Sequence, residues 1–114
     1  MSFADQAVEL LLPVGAPQTV VLAAATSSAA IDIATALSLV ASGDPMPSGG
    51  FHILVSCNAA FTARAGASDP SAAVATDFPF AANTVYRFKV VPATRFVRLF
   101  STPGGNFSYV LASR

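Results

Sequence analysis

The C-terminal third of the chain shows the clearest alternation of apolar and polar positions. In residues 85–91 (VYRFKVV), aromatic and basic side chains alternate, so an extended strand would carry them on opposite faces. Pro92 interrupts this strand, a second strand is predicted over residues 95–102, and a third over residues 107–113 follows a Pro-Gly-Gly-Asn turn. Three consecutive strands joined by short turns predict an antiparallel meander.

Similar runs, separated by turn residues, extend through the upstream part of the chain. Strands are predicted over residues 8–14, 18–26, 29–35, 51–57, 61–66 and 74–76. The segment 29–35 is ambiguous, because residues 34–40 also fit one or two turns of helix. Turns or loops are predicted at residues 15–17, 41–50 and 67–72, where Gly, Pro, Ser and Asp concentrate.

The number and spacing of these strands predict the fold class. About eight short strands at intervals of roughly 8 to 12 residues indicate an all-β protein. The expected architecture is an antiparallel β-sandwich or a jelly-roll-like small barrel. A chain of 114 residues has room for a single domain, residues 1–114, in which residues 1–7 either fray or form an N-terminal arm laid on a neighbour.

Composition adds an expectation about partners. Hydrophobic residues make up 54% of the chain, while charged residues make up only 11%, against roughly a quarter in an average globular protein. So little charge favours a surface that is covered by a partner or by further copies of the chain. The alternative is a compact domain whose exposed positions are Ser, Thr and Ala.

The few charges are distributed unevenly. Four carboxylates and no Lys or Arg precede residue 64, whereas six basic residues and two carboxylates follow from there, which gives the two halves net charges of −4 and +4. This asymmetry favours either association of identical chains or ion pairing inside one molecule.

Two kinds of targeting segment are not predicted. Residues 1–5 have no basic region typical of a secretion signal, so we expect assembly without export. The uncharged stretch 10–31 is long enough to cross a membrane, but Pro13, Gly15 and Pro17 would break a helix there. Two strands with a turn fit it better, and no membrane partner is expected.

Residue types that support catalysis or metal binding are sparse. The chain has one Cys and one His, and alternation places Cys57 and His52 on opposite faces of one strand. We expect Cys57 to be a buried thiol and His52 a surface or interface residue. Asp44 and Asp69 stand beside Pro in turn sequences, which explains them without chemistry. The sequence therefore predicts no enzyme, no catalytic residue, no metal site and no cofactor.

A set of basic residues raises the question of nucleic acid. Four basic residues could point outward from adjacent β-strands beside aromatic rings, as in proteins that bind single-stranded nucleic acid; they are Arg64, Arg87, Lys89 and Arg98. The zero net charge argues against this function. We expect the aromatic rings to fill the core instead, and no nucleic-acid partner; these rings are Phe88, Phe96, Phe100, Phe107 and Tyr109.

One sequential pattern carries a resemblance to a known class. It covers residues 51–112: an apolar strand and turn, the strand FTARAG, a variable loop, then DFPFAANTVYRF, TRFVRLF, a Gly-Gly pair and the final strand FSYVLA. This pattern resembles small β-sandwich or jelly-roll virion proteins of tailed bacteriophages, including capsid decoration (cement) proteins and the bases of fibres or spikes.

The resemblance implies a function and partners. Decoration proteins of this kind bind the outside of the capsid, commonly as trimers, so it implies self-association, contact with the major capsid protein, and a place on the virion exterior after assembly in the host cytoplasm. An apolar face of the sandwich would make the oligomer, and the N-terminal segment with the Asp44 and Asp69 loops would meet capsid or solvent. The alternative is a receptor- or glycan-binding module of a fibre or tail, for which Phe51 and residues 78–80 are the loop-adjacent aromatic candidates.

Overall fold

The computed structural model describes residues 13–112, which form two antiparallel four-stranded sheets. The strands are β1 (Pro13–Leu22), β2 (Ile31–Asp32), β3 (Phe51–Cys57), β4 (Phe61–Gly66), β5 (Phe78–Phe80), β6 (Tyr86–Val90), β7 (Phe96–Phe100) and β8 (Gly105–Ala112). One helical turn, α1 (Ile33–Ala36), follows β2, and a 3₁₀ turn (Pro92–Thr94) separates β6 from β7. The first sheet has the order β1-β8-β3-β6 and the second β2-β7-β4-β5. The predicted antiparallel β-sandwich is confirmed.

The strands pair in a nested order. β1 pairs with β8, β2 with β7, β3 with β6, and β4 with β5, as in one long hairpin whose two halves run side by side. Two further pairings, β3 with β8 and β4 with β7, arise because this hairpin wraps into two facing sheets. The order is that of an eight-stranded jelly roll, and it depends on pairing between residues far apart in sequence.

The predicted meander in the last third is wrong. Strands β6, β7 and β8 do not pair with one another, because successive strands lie in different sheets. The 3₁₀ turn that begins at Pro92 makes the first crossing, and the turn that ends at Gly104 makes the second. Gly104 has φ +78°, and a Cβ there would lie 2.7 Å from the carbonyl oxygen of Leu22, so this corner requires glycine.

Several predicted elements of the remaining chain need correction. The turn predicted at residues 15–17 is a bulge inside β1, where three residues stand opposite Val110 alone. The strand predicted over 29–35 stops at Asp32, which caps α1 by accepting a hydrogen bond from the Thr35 amide. Residues 74–76, predicted as an edge strand, do not form one; the edge strand in this region is β5, a few residues later. The predicted arm at residues 1–7, most of the strand predicted at 8–14, and Ser113 lie outside the described residues.

The core lies between the sheets and follows the predicted alternation. Cys57 is buried as expected, and the Phe107 and Tyr109 rings are also buried. Phe61 stacks on Phe80 with ring centroids 5.0 Å apart and meets Phe107 edge-on at 5.3 Å. Burial raises the pKa of the Tyr109 hydroxyl.

The expectation for the other aromatic rings was only partly right. Phe88 packs against the buried core, as predicted. Phe96 and Phe100 lie on the outer face of the second sheet, because β7 turns Val97 and Leu99 inward.

Truncating a core residue of β7 should cost far more than truncating an exposed residue of β1. For Leu99→Ala, whose native side chain is fully buried, we expect the free energy of unfolding to fall by about 2–5 kcal/mol. For the control Val21→Ala, at a position 77% exposed, we expect a change within about 0.5 kcal/mol. Urea unfolding followed by tyrosine fluorescence measures both, and equal midpoints would contradict this assignment of the core.

Candidate functional site

The charged side chains form three ion pairs within residues 13–112. Arg64 pairs with Asp77 at 2.7 Å, Arg95 with Asp32 at 2.8 Å, and Arg98 with Asp69 at 2.8 Å. Of these pairs, Arg95–Asp32 alone joins the acidic half of the sequence to the basic half. Pairing inside the molecule, one of the two alternatives for the charge asymmetry, therefore accounts for part of it.

The Arg95–Asp32 pair is the centre of a buried hydrogen-bond network. Arg95 is only 8% exposed, and its guanidinium donates two hydrogen bonds to the Asp32 carboxylate. Nε donates to Oδ1 at 2.8 Å, and Nη2 donates to Oδ2 at 3.1 Å. Nη1 donates to the carbonyl oxygen of Asp44 in the 41–50 loop, and Nη2 also donates to Thr35 Oγ1. The network joins β2, α1, this loop and β7, so its role is to hold the fold together.

The network also determines the charge state of its carboxylate. Desolvation raises the pKa of Asp32, but hydrogen bonds from Arg95 and Thr35 outweigh it and hold the pKa below its ordinary value of 3.8. At Asp77, hydrogen bonds from Arg64 and from the Val74 amide lower the pKa in the same direction. Both carboxylates therefore stabilise the fold as anions.

The basic residues singled out in the sequence do not form one surface. Arg64 and Arg98 stand opposite each other on the outer face of the second sheet, each held by its aspartate. Arg87 and Lys89 belong to β6, at an edge of the first sheet. These four residues therefore do not form the single basic surface that binding of single-stranded nucleic acid would require.

The other residues with catalytic or ligand-binding potential remain apart. His52 is half-buried and lies in register with Lys89, while Cys57 is buried farther along β3 in the core. No cluster of three or more His, Cys, Asp or Glu residues suited to a metal ion exists between residues 13 and 112. Over the same range, no helix has both the length and the apolar character to cross a bilayer.

The outer face of the first sheet carries an apolar groove of about 250 Å³. We call it the outer groove; the apolar side chains that line it include Pro13, Pro17, Leu54, Val85 and Val110. The β1 bulge forms one wall of the groove. Pro17 lies in this bulge, next to β8, the strand with which β1 pairs. Val85 is 68% exposed, so the groove is open to solvent.

A polar depression adjoins the outer groove. It measures about 460 Å³ and shares Ser56, Val85 and Ser108 with the groove. Its remaining polar side chains are amides, namely those of Asn58, Asn83 and Asn106. The side-chain oxygen Oδ1 of Asn58 accepts a hydrogen bond of 2.8 Å from the backbone N–H of Asn106, which ties the turn after β3 to β8.

Sequence reasoning missed the outer groove, although a signal was present. The runs Ile53–Leu54–Val55 and Tyr109–Val110–Leu111 are apolar at consecutive positions rather than at alternate ones. Continuous apolar runs are typical of strands covered on both faces. Here the inner face of each strand meets the core, and the outer face meets the groove.

Comparison with known proteins gives no relative. No family model matches the chain, and no curated protein or solved structure does either. The expected kinship with phage virion proteins therefore stays a prediction, and the surfaces above carry the functional argument.

The buried ion pair should matter far more than an exposed one. We expect Asp32→Asn to lower the free energy of unfolding by about 1.5–3 kcal/mol, because it replaces the ionised acceptor of the Arg95 hydrogen bonds with a neutral amide. The matched control Asp69→Asn, which removes an exposed carboxylate, should stay within about 0.5 kcal/mol. Chemical denaturation of the two variants measures this difference, and equal losses would show that the network does not have the role assigned to it.

The Asp32 carboxylate should also contribute to the loss of stability at low pH. A pKa lowered in the folded state stabilises the fold above the unfolded value near 3.8, and that contribution is lost as the pH falls through the folded value. We expect a flat melting temperature from pH 7 to about 5 and a steep fall below about 4. The Asp32→Asn variant should show a shallower fall, and identical acid limbs would contradict the assignment.

Proposed function

We propose that this protein is a non-enzymatic structural component of a bacteriophage virion, a decoration protein bound to the capsid exterior. It self-associates, with a trimer favoured, and contacts the major capsid protein. The oligomer forms through the outer groove of the first sheet. The 41–50 and 67–72 loops, which carry Asp44 and Asp69, face the capsid or solvent.

The outer groove is the observation that carries this proposal. Pro17, Leu54 and Val85 present aliphatic groups where a solvated sheet face would normally carry polar side chains. Removing apolar surface from water stabilises an interface by roughly 25 cal/mol per Å² before the costs of association. The scarcity of charge, 11% of residues, supports the same conclusion because such a surface gains little from staying hydrated.

The fold supports the proposal by analogy. The eight-stranded jelly roll is an architecture used by viral capsid domains, but also by lectins and other proteins. A multivalent shell suits a protein of this size, because many weak contacts add when copies are held at high local concentration.

A second candidate function is recognition of a receptor or glycan by a fibre or tail module. The polar depression favours it, since amide and hydroxyl groups from Ser56, Asn58 and Asn106 can hydrogen-bond to sugar hydroxyls. The exposed aromatic ring that would stack on a sugar, Phe78, belongs to β5 in the second sheet and is not part of this depression. The decoration function therefore ranks first.

The oligomer should depend on the outer groove. We expect Val85→Asp to convert the assembled protein to single chains, because a carboxylate would have to be buried in an apolar contact. The control Phe78→Asp introduces the same charge at a position 73% exposed in the second sheet and should leave the assembly intact. Light scattering of the purified proteins measures the mass of each.

Capsid binding completes the test. We expect the wild-type oligomer to saturate capsids that lack it in a fixed ratio, and Val85→Asp to bind far less because it loses multivalency. A monomeric wild-type protein that ignores capsids but retains host cells or glycans would overturn the proposal in favour of the second candidate.

A further inference from the structure

A second apolar cavity opens between the sheets, on the side where β5 and β6 form their edges. This crevice has a volume of about 370 Å³, within the range of small-ligand pockets. Buried Ile53 and Val90 form part of its lining, together with Phe80 and Phe88, whose ring centroids are 5.2 Å apart. The crevice is distinct from the outer groove, which lies on the opposite face of the first sheet.

The crevice exists because the second sheet supplies little side-chain volume there. β5 is only three residues long, and the β4 residues that line the crevice are Ala63 and Ala65. Small side chains opposite the rings of β6 leave space that a close-packed interior would fill. Exposed Phe78 lies at the edge of this space and packs on Phe80 at 5.3 Å.

Two cations stand at the rim of the same crevice. Arg87 and Lys89 are two positions apart on β6, so both point away from the core, on the face opposite Phe88 and Val90. Because β6 is the edge strand of the first sheet, both residues still border the opening of the crevice. Both are exposed, and neither forms an ion pair with a carboxylate of residues 13–112. The three other basic residues of that range each hold an aspartate. The two basic residues that form no ion pair with an aspartate of residues 13–112 thus lie next to an apolar cavity.

We propose that this crevice binds a small amphipathic carboxylate, an aliphatic chain that ends in one negative charge. The aliphatic chain of the ligand enters between the sheets and contacts Ile53, Phe88 and Val90. Its carboxylate stays at the surface, near Arg87 and Lys89. Arginine can hold a carboxylate with two parallel hydrogen bonds, and lysine adds a point charge.

The lining selects this ligand class over a sugar. Carbon-rich side chains of Ile, Ala, Phe and Val make up most of the wall, and Thr94 provides the only hydroxyl among the lining residues. A sugar placed there would leave most of its hydroxyl groups without partners, which costs free energy. An alkyl chain has no such groups to satisfy.

Calorimetric titration of the intact protein with decanoate, below its micelle concentration and at pH 8, tests the proposal. We expect one decanoate per chain and binding of decanol, the uncharged chain of equal length, that is roughly tenfold weaker. Amide chemical shifts should change mainly in β4, β5 and β6. The inference does not depend on the proposed virion role, because light scattering of the same samples reports self-association separately.

Three variants separate the contributions to binding. Arg87→Gln with Lys89→Gln should reduce decanoate affinity to that of decanol, while Arg98→Gln, on the outer face of the second sheet, should leave it unchanged. Ala65→Leu, at an exposed position of the lining, should weaken both ligands by filling the crevice. Each variant is first shown to be folded by its melting curve.

Defined results would overturn the proposal. These are equal affinity for decanoate and decanol, an unchanged affinity in the double Gln variant, shift changes centred on the outer groove, or no binding up to the micelle concentration. A loss of affinity in the double Gln variant together with retained affinity in Arg98→Gln supports it.

Discussion

The bidentate ion pair between Arg95 and Asp32 is the interaction on which much of this β-sandwich depends. β2 has only two residues and gains few ladder hydrogen bonds of its own. Arg95 compensates by tying the Asp32 carboxylate and the Asp44 carbonyl to the start of β7, and its own carbonyl accepts the Ile33 amide at 3.2 Å. An arginine removed from water must have all its partners in place, because breaking such a pair leaves an uncompensated charge. The corner of the second sheet is therefore fixed by electrostatics, whereas the rest is fixed by packing.

Elsewhere, packing between the sheets holds the nested strands together. The aromatic side chains Phe61, Phe80 and Phe107 link β4, β5 and β8, so that rings from both sheets touch across the core. All strand pairs except β4–β5 join residues far apart in sequence, and their formation has to offset a large loss of chain entropy. A core of interlocking rings provides that stabilisation with few residues, which suits a domain of this length.

The two apolar surfaces differ in chemistry and therefore in their proposed partners. The outer groove contains no charged residue in its lining, so another apolar surface, such as that of a second copy, suits it. The crevice combines an apolar interior with Arg87 and Lys89, which matches a ligand that has one apolar and one anionic end. The apolar interior of the crevice lies on the inner face of the first sheet, whereas the groove lies on its outer face.

The sequence by itself determined which side chains of β3, β6 and β8 face inward. Alternation in β3, β6 and β8 follows from the period of two along an extended chain, and it correctly predicted the burial of Cys57, Phe107 and Tyr109. Turn residues also located most strand ends. The prediction failed at Phe96 and Phe100, because it placed aromatic rings in the core by their residue type; Arg98 shares their face of β7 and marks that face as the outer one.

Only the tertiary structure decided which strands pair and what their outer faces carry. Local pattern does not distinguish a turn that returns the chain to the same sheet from one that crosses to the other, so β6, β7 and β8 read as a meander. The Arg95 network, the β1 bulge and both cavities bring together residues that are far apart in the sequence, such as Asp32 with Arg95 and Pro17 with Val110. Such contacts depend on the three-dimensional packing of the sheets, and no periodicity along a single strand encodes them.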